Sequence, residues 1–229
     1  MTYHDLDSAS QELIDKHLNL VVKANEAVNL TRIVSTEEAF ILHIEDSLSA
    51  LSEMDEAPLG LYGDLGSGAG YPGIPLAIAT GRTTYLIDAR KKKMEQVQQI
   101  IDVLGLQDQI FTYAGRAELL AHKMPHEFAV LTARALAKIP VLLELASPLL
   151  IKSGRLICFK SHVEDDEYAQ AEKVAPPVGM RLVSDRSFTL SGDGSDEHYE
   201  RRLLTYEKVA QSKVKLPRQE GMAQKKPLS

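Results

Sequence analysis

The hydrophobic pattern divides the chain into an all-helical opening and a long alternating stretch. Leu13, Ile14, His17, Leu18, Val21 and Val22 recur at the three-and-four spacing of one buried face, predicting a helix from Ser8 or Ser10, either of which can cap it, to about Ala27. Ser35-Thr36-Glu37-Glu38 reads as a capping box that opens a second helix, with Phe40, Ile44, Leu48 and Leu51 on one side. After Pro58, short apolar runs alternate with amphipathic ones. Strands are predicted at 59–65, 83–87, 109–113, 127–132 and 155–160, and helices at about 73–80, 91–104 and 139–150. A helix rich in Glu and Lys then runs to about Val174. Two β runs follow, 180–190 and 198–206, around the turn cluster Ser191-Gly192-Asp193-Gly194-Ser195. Strands alternating with helices predict βαβ units and a parallel sheet covered on both faces, and the two successive β runs predict an antiparallel hairpin at its edge.

Composition narrows the compartment more than the fold. With 229 residues, 44 % hydrophobic and 25 % charged, the chain needs no staple to hold a core. The single cysteine, Cys158, cannot form an internal disulfide, and no Cys/His cluster has zinc spacing, so no metal is expected and a reducing compartment fits. Met1-Thr2-Tyr3-His4-Asp5 lacks the basic start of a signal peptide. The most apolar stretch, 139–151, is interrupted by Glu144 and Pro148 and falls short of the ~20 residues of a membrane span. A cytoplasmic protein without a membrane partner is expected, in which the sequon Asn29-Leu30-Thr31 carries no glycan. The net charge of −6 argues against nucleic acid until its distribution is considered. Residues 208–229 hold six basic side chains against Glu220 alone, either a solvated end or an RNA-binding segment. Arg90, Lys91, Lys92 and Lys93 open a helix at its positive end, a poor place for four cations unless an anion binds there or solvent screens them.

The strongest local signal is Asp64-Leu65-Gly66-Ser67-Gly68-Ala69-Gly70-Tyr71-Pro72-Gly73, at the carboxyl end of the first predicted strand, where open α/β sheets place their ligands. Gly68 to Gly73 also fits GxGxxG, a short pattern that alone says little. Asp64 is expected to put a carboxylate near the ligand, favouring a cationic or amino-bearing molecule over a pyrophosphate. Asp88 ends the second strand, where a carboxylate accepts both hydroxyls of an adenosine ribose. Together these look like the S-adenosylmethionine site of a class I methyltransferase. An NAD(P)-dependent oxidoreductase could use the same glycines, although the chain has no Tyr-x-x-x-Lys dyad and no room for a second catalytic domain. A noncatalytic RNA-binding protein with a degenerate cofactor fold is the third reading.

Further motifs sharpen the likeness. Asn29-Leu30-Thr31, His43 with Asp46-Ser47-Leu48, the run from Gly66 to Ala77, Gly115-Arg116-Ala117-Glu118, Ala133-Arg134-Ala135, Leu216-Pro217-Arg218, Gly221 and Pro227-Leu228 resemble, in order, those of the bacterial small-subunit ribosomal RNA methyltransferase G family, also called glucose-inhibited division protein B. The likeness spans roughly positions 25 to 228. It implies a class I, Rossmann-like α/β fold, with a mostly parallel seven-stranded sheet, an antiparallel edge hairpin and an N-terminal helical extension. It also implies S-adenosylmethionine as cofactor, N7 of a guanosine in 16S ribosomal RNA as methyl acceptor, and the RNA or the small-subunit particle as partner of a monomer. By position, cofactor contacts fall on Gly66, Tyr71, Ala117, Glu118 and Arg134; Asp88 is added from the class I pattern. The expected division is a helical segment at 1–56, a methyltransferase domain at 57–208 and a basic tail at 209–229. Guanine N7 carries a lone pair and no proton, so no general base is needed and no catalytic residue is assigned. Some of the residues singled out also have a plainer reading: His43 and Asp46 as a local i, i+3 helix pair, Arg134 as a surface ion pair, and Glu118 as a favourable charge at a helix start. One departure is Lys160-Ser161, where the family usually shows Lys followed by Gly.

Overall fold

Alternating apolar runs and helices fold the chain, in a computed structural model described over residues 2–28, 36–191 and 198–229, onto a seven-stranded sheet. Its strands are β1 (Leu61–Leu65), β2 (Thr84–Asp88), β3 (Ile110–Ala114), β4 (Phe128–Arg134), β5 (Leu150–Lys160), β6 (Met180–Ser191) and β7 (His198–Lys208). They lie in the order β3-β2-β1-β4-β5-β7-β6, with β1 to β5 parallel and β7 antiparallel to both of its neighbours. This is the sheet and edge hairpin the pattern predicts. Strand order reverses between β1 and β4, so a crevice opens beyond their carboxyl ends. The motif Asn29-Leu30-Thr31, Ser35 of the capping box and the turn residues Gly192 to Ser195 lie outside the described residues.

Helices cover both faces. On one, α1 (Ser8–Val28), α5 (Gly73–Thr80) and α6 (Lys91–Leu104) pack together, with Ile14, Leu18 and Val21 of α1 in the same core as Ile74 and Ile101. On the other lie α7 (Ala117–Lys123), α8 (Ile139–Ala146) and α9 (Asp165–Val174). Every residue of α8 is buried. Each fully buried Leu or Ile contributes about 1.5–3 kcal/mol by leaving water, so these two layers stabilise the sheet on whose end the crevice lies. No described helix is long and apolar enough to cross a membrane.

Several elements differ from the pattern for identifiable reasons. The residue capping α1 is Asp7, whose Oδ1 accepts the Ser10 N–H at 2.9 Å, rather than either serine. The second helix is not continuous: α2 (Thr36–Ala39) passes into a π-helical turn (Phe40–Glu45), followed by α3 (Asp46–Leu48) and α4 (Leu51–Asp55). Helix α8 stops at Ala146 because Pro148 has no N–H to extend the ladder, and Ser147 turns its hydroxyl to Val178 O at 2.7 Å. Strand β5 starts at Leu150 rather than 155, and Ser153 with φ 64° interrupts the alternation that would have revealed its first half.

The basic end is not a solvated tail. Leu216 and Leu228 pack against the second core, and α10 (Met222–Lys225) buries Ala223. Two of the six basic residues are engaged inside the fold. Lys208 is buried, with its ammonium on Ser147 Oγ and Val178 O, and Arg218 forks both oxygens of buried Glu144 at 2.7 and 2.6 Å.

Candidate functional site

The loop after β1 is built on its own backbone. Gly66 adopts φ +73°, and a Cβ there would come within 2.8 Å of the Leu136 side chain. Ile87 O accepts the Gly66 N–H at 2.7 Å, and Asp88 Oδ2 accepts the Gly68 N–H at 3.2 Å, so the loop is moored to the end of β2. Asp88 Oδ1 accepts the Arg90 N–H at 2.8 Å, and the Arg90 guanidinium lies alongside with its side chain 65 % exposed. Asp64 does not face the crevice as expected. It is fully buried, accepting the Gly73 N–H at 3.0 Å and the Thr132 hydroxyl at 2.8 Å, while Tyr62 donates to Thr132. Burial pushes its carboxyl up to about 7. Asp64 braces the loop against β4 and presents no charge to a ligand.

A cleft of about 240 Å³ opens beside this loop and is lined by four of the six predicted contact residues, Gly66, Asp88, Ala117 and Glu118. Leu136 and Gln224 also line it. Glu118, at the start of α7, is buried and accepts the Gly221 N–H on Oε1 at 2.8 Å. Arg116, just before α7, pairs with Glu220 at 3.0 Å.

The other two predicted residues lie elsewhere. Arg134 lines a second cleft of about 380 Å³, with His43, Asp46, Lys160 and Arg201. The two clefts meet at Ala135. Tyr71 lines neither. It is buried at 4 % exposure, stacked on His43 with ring centroids 4.4 Å apart, with His17 tilted over it at 4.6 Å and the Arg134 guanidinium 5.8 Å from its ring.

Arg134 is the hub of the second cleft. It donates to Leu42 O at 2.8 Å, to Asp46 Oδ2 at 2.7 Å and to His43 Nδ1 at 3.3 Å, all on or just after the π-helical turn. Arg201 on β7 donates to the other oxygen of Asp46 at 3.0 Å. Burial, with the adjacent Arg134 charge, pushes the His43 imidazole down to about 3, so it is neutral and accepts from the guanidinium. His43 and Asp46 thus both anchor the helical segment and line a cleft. Lys160 donates to Ala137 O and to Glu167, which holds the end of β5 in place just before Ser161.

Four contributors carry no readable signal as site residues. Arg201 is one arginine in a polar strand, and Leu42 and Phe159 look like core. Gln224 belongs to a segment whose motif is visible but whose destination is not.

A family profile described as rRNA small subunit methyltransferase G matches residues 10–188. The chain is 34 % identical over 220 residues to a ribosomal RNA small subunit methyltransferase G of Carboxydothermus hydrogenoformans, covering 95 % of this chain and 91 % of the relative. It is 32 % identical over 226 residues to the protein of that name in Bacillus pumilus, covering 97 % and 92 %. Among solved structures, the YcgJ protein of Bacillus subtilis superposes with TM-score 0.55 at 13 % identity, over 72 % of this chain and 98 % of that one. Precorrin-6y C5,15-methyltransferase of Geobacter metallireducens does so with TM-score 0.52 at 12 % identity, over 71 % and 87 %. These two likenesses speak to the fold alone.

Proposed function

Because the chain belongs to the rRNA small subunit methyltransferase G family, we propose that its first cleft binds S-adenosylmethionine and its second receives a guanosine of 16S ribosomal RNA for methylation at N7. The observation that carries this reading is the junction at Ala135, where two clefts of different character abut beyond the strand ends. The first suits the cofactor: Gly66 offers bare backbone where a side chain would fill the space, and Asp88 is a carboxylate poised for vicinal hydroxyls. Bound S-adenosylmethionine supplies a methyl group activated by a sulfonium.

The second cleft suits a nucleotide. Arg134, Arg201 and Lys160 outnumber Asp46 in charge, while Leu42 and Phe159 offer apolar walls for a base. Asp46 is shared between two guanidiniums and neutral His43 accepts from that of Arg134, so neither serves as a proton acceptor during methyl transfer. None is required, because guanine N7 has no proton to lose. These residues would orient the base toward the methyl donor, and Asp46 is the one carboxylate among the described residues of the cleft that would offset the positive charge passing to the base. The enzyme acts as a monomer in the cytoplasm.

Titration calorimetry with S-adenosylmethionine and with NADH, followed by nucleoside mass spectrometry of treated 16S RNA, tests this. Binding of the first ligand alone and appearance of 7-methylguanosine are expected; NADH binding, or RNA left unmodified, overturns it. Single-turnover rates from pH 6 to 9 test the chemistry. A limb of slope one that vanishes in His43→Gln would make His43 a base.

A further inference from the structure

The motif Leu216-Pro217-Arg218 with Gly221 has no part in the function proposed so far, yet its backbone ends at the first cleft. Arg218 closes the segment on itself: its guanidinium holds Glu144 of α8 and also donates to Lys226 O at 2.7 Å. Between those anchors the chain buries Ala223, gives the Gly221 N–H to Glu118 and sets Gln224 in the cleft wall.

The direction of the cleft follows from the reading above, on which this inference rests. The second cleft adjoins at Ala135, so the reacting end of the cofactor faces Ala135 and Gly66, and its ribose faces Asp88. The base then falls at the remaining end, among Ala117, Leu145 and Gln224. Ala117 and Leu145 are apolar, as a purine face requires. A glutamine amide presents a donor and an acceptor in one plane, the pair that matches the N6 and N7 edge of adenine.

We propose that the segment 216–226 is part of the cofactor site, with Gln224 reading the edge of the adenine and Gly221 acting as a positioning residue that fixes one oxygen of Glu118. The basic character of this stretch is then incidental to its main task. Arg218 is a clasp for a binding wall rather than a phosphate contact.

Hydrogen exchange with S-adenosylhomocysteine as the probe tests the segment without a substitution. Slowed exchange both in the loop 66–70 and in 219–225 is expected. Protection of the loop alone overturns the proposal, and protection of neither overturns the cofactor reading beneath it. Calorimetry on Gln224→Ala tests the base contact. Because Gln224 is exposed, the fold should survive its loss. S-Adenosylhomocysteine affinity should fall about three- to tenfold, as when one hydrogen bond is removed, and the preference over the analogue carrying inosine should vanish. Affinity within about twofold of wild type with that preference intact overturns it.

Discussion

His17 shows how much a single buried side chain can weigh. Its ring lies fully buried over Tyr71, with Nε2 directed to Ala69 O at 3.3 Å and Nδ1 unpartnered. Desolvation pushes its imidazole down to about 4 from the usual 6.5. The unfolded chain therefore takes up a proton near pH 6.5 that the folded chain refuses until about 4. The stability His17 contributes is complete above 6.5 and is lost as pH falls through that window, by about 3 kcal/mol at pH 4. Urea midpoints at pH 7.5 and 4.5 should differ less in His17→Leu than in wild type; an equal drop in both would remove His17 from the account. Residue by residue, the sequence is most legible at the carboxyl ends of strands and the elements that follow them. Gly66 follows β1, Asp88 ends β2, and Ala117 and Glu118 open α7 after β3; all reach one cleft. Asp64 misleads because it is still in β1, where the side chain alternates between faces and nothing local says which face meets ligand.

Among the elements, the π-helical turn is tied to the sheet by contacts from outside itself. Asp46, just after it, carries two guanidiniums whose side chains are each only 18 % exposed, one from β4 and one from β7. Removing the carboxylate leaves both cations short of a partner, and breaking a buried pair in this way costs about 3 kcal/mol or more. Asp46→Ala should therefore lower the urea midpoint more than Arg201→Ala, which strands no second cation; the reverse order would mean that Asp46 is not the tie between these elements. Long amphipathic helices such as α6 are readable because apolar positions repeat through several turns. The seven residues of α7 are too few to repeat, so the pattern predicts no helix there although Glu118 reads as a helix start. The π-helical turn hides for a different reason. Phe40, Ile44 and Leu48 are spaced four apart, which an ordinary α-helix satisfies equally well.

For the whole molecule, the net charge of −6 makes RNA docking a matter of where the cations lie. Charge counting groups Lys208, Lys213, Lys215 and Arg218, and the fold separates them. Lys213 and Lys215 are exposed, whereas Lys208 and Arg218 are engaged internally. Lys213→Ala with Lys215→Ala should flatten the salt dependence of RNA binding by ~0.7 to 0.9 in log–log slope for each phosphate that is no longer neutralised, with the thermal midpoint unchanged. Arg218→Ala should instead lower the midpoint, because Glu144 is left buried without its cation. An unchanged slope in the double variant would move the docking surface to the cluster at Arg90 to Lys93. The parallel sheet and its edge hairpin are legible because the order of elements along the chain constrains topology strongly. The docked end is not, since only tertiary contacts decide where a basic segment lies.

The ties that complete both clefts also set their place in time. Asp46 meets Arg201 across 155 positions, and Glu118 meets Gly221 across 103. Closing such long loops adds little to the equilibrium cost, about 0.6 kcal/mol for each doubling of length, but contacts between distant stretches form slowly. The parallel core around β1 and β2 can assemble before either tie exists. A chain in which neither tie has formed presents a sheet without the finished wall of either cleft.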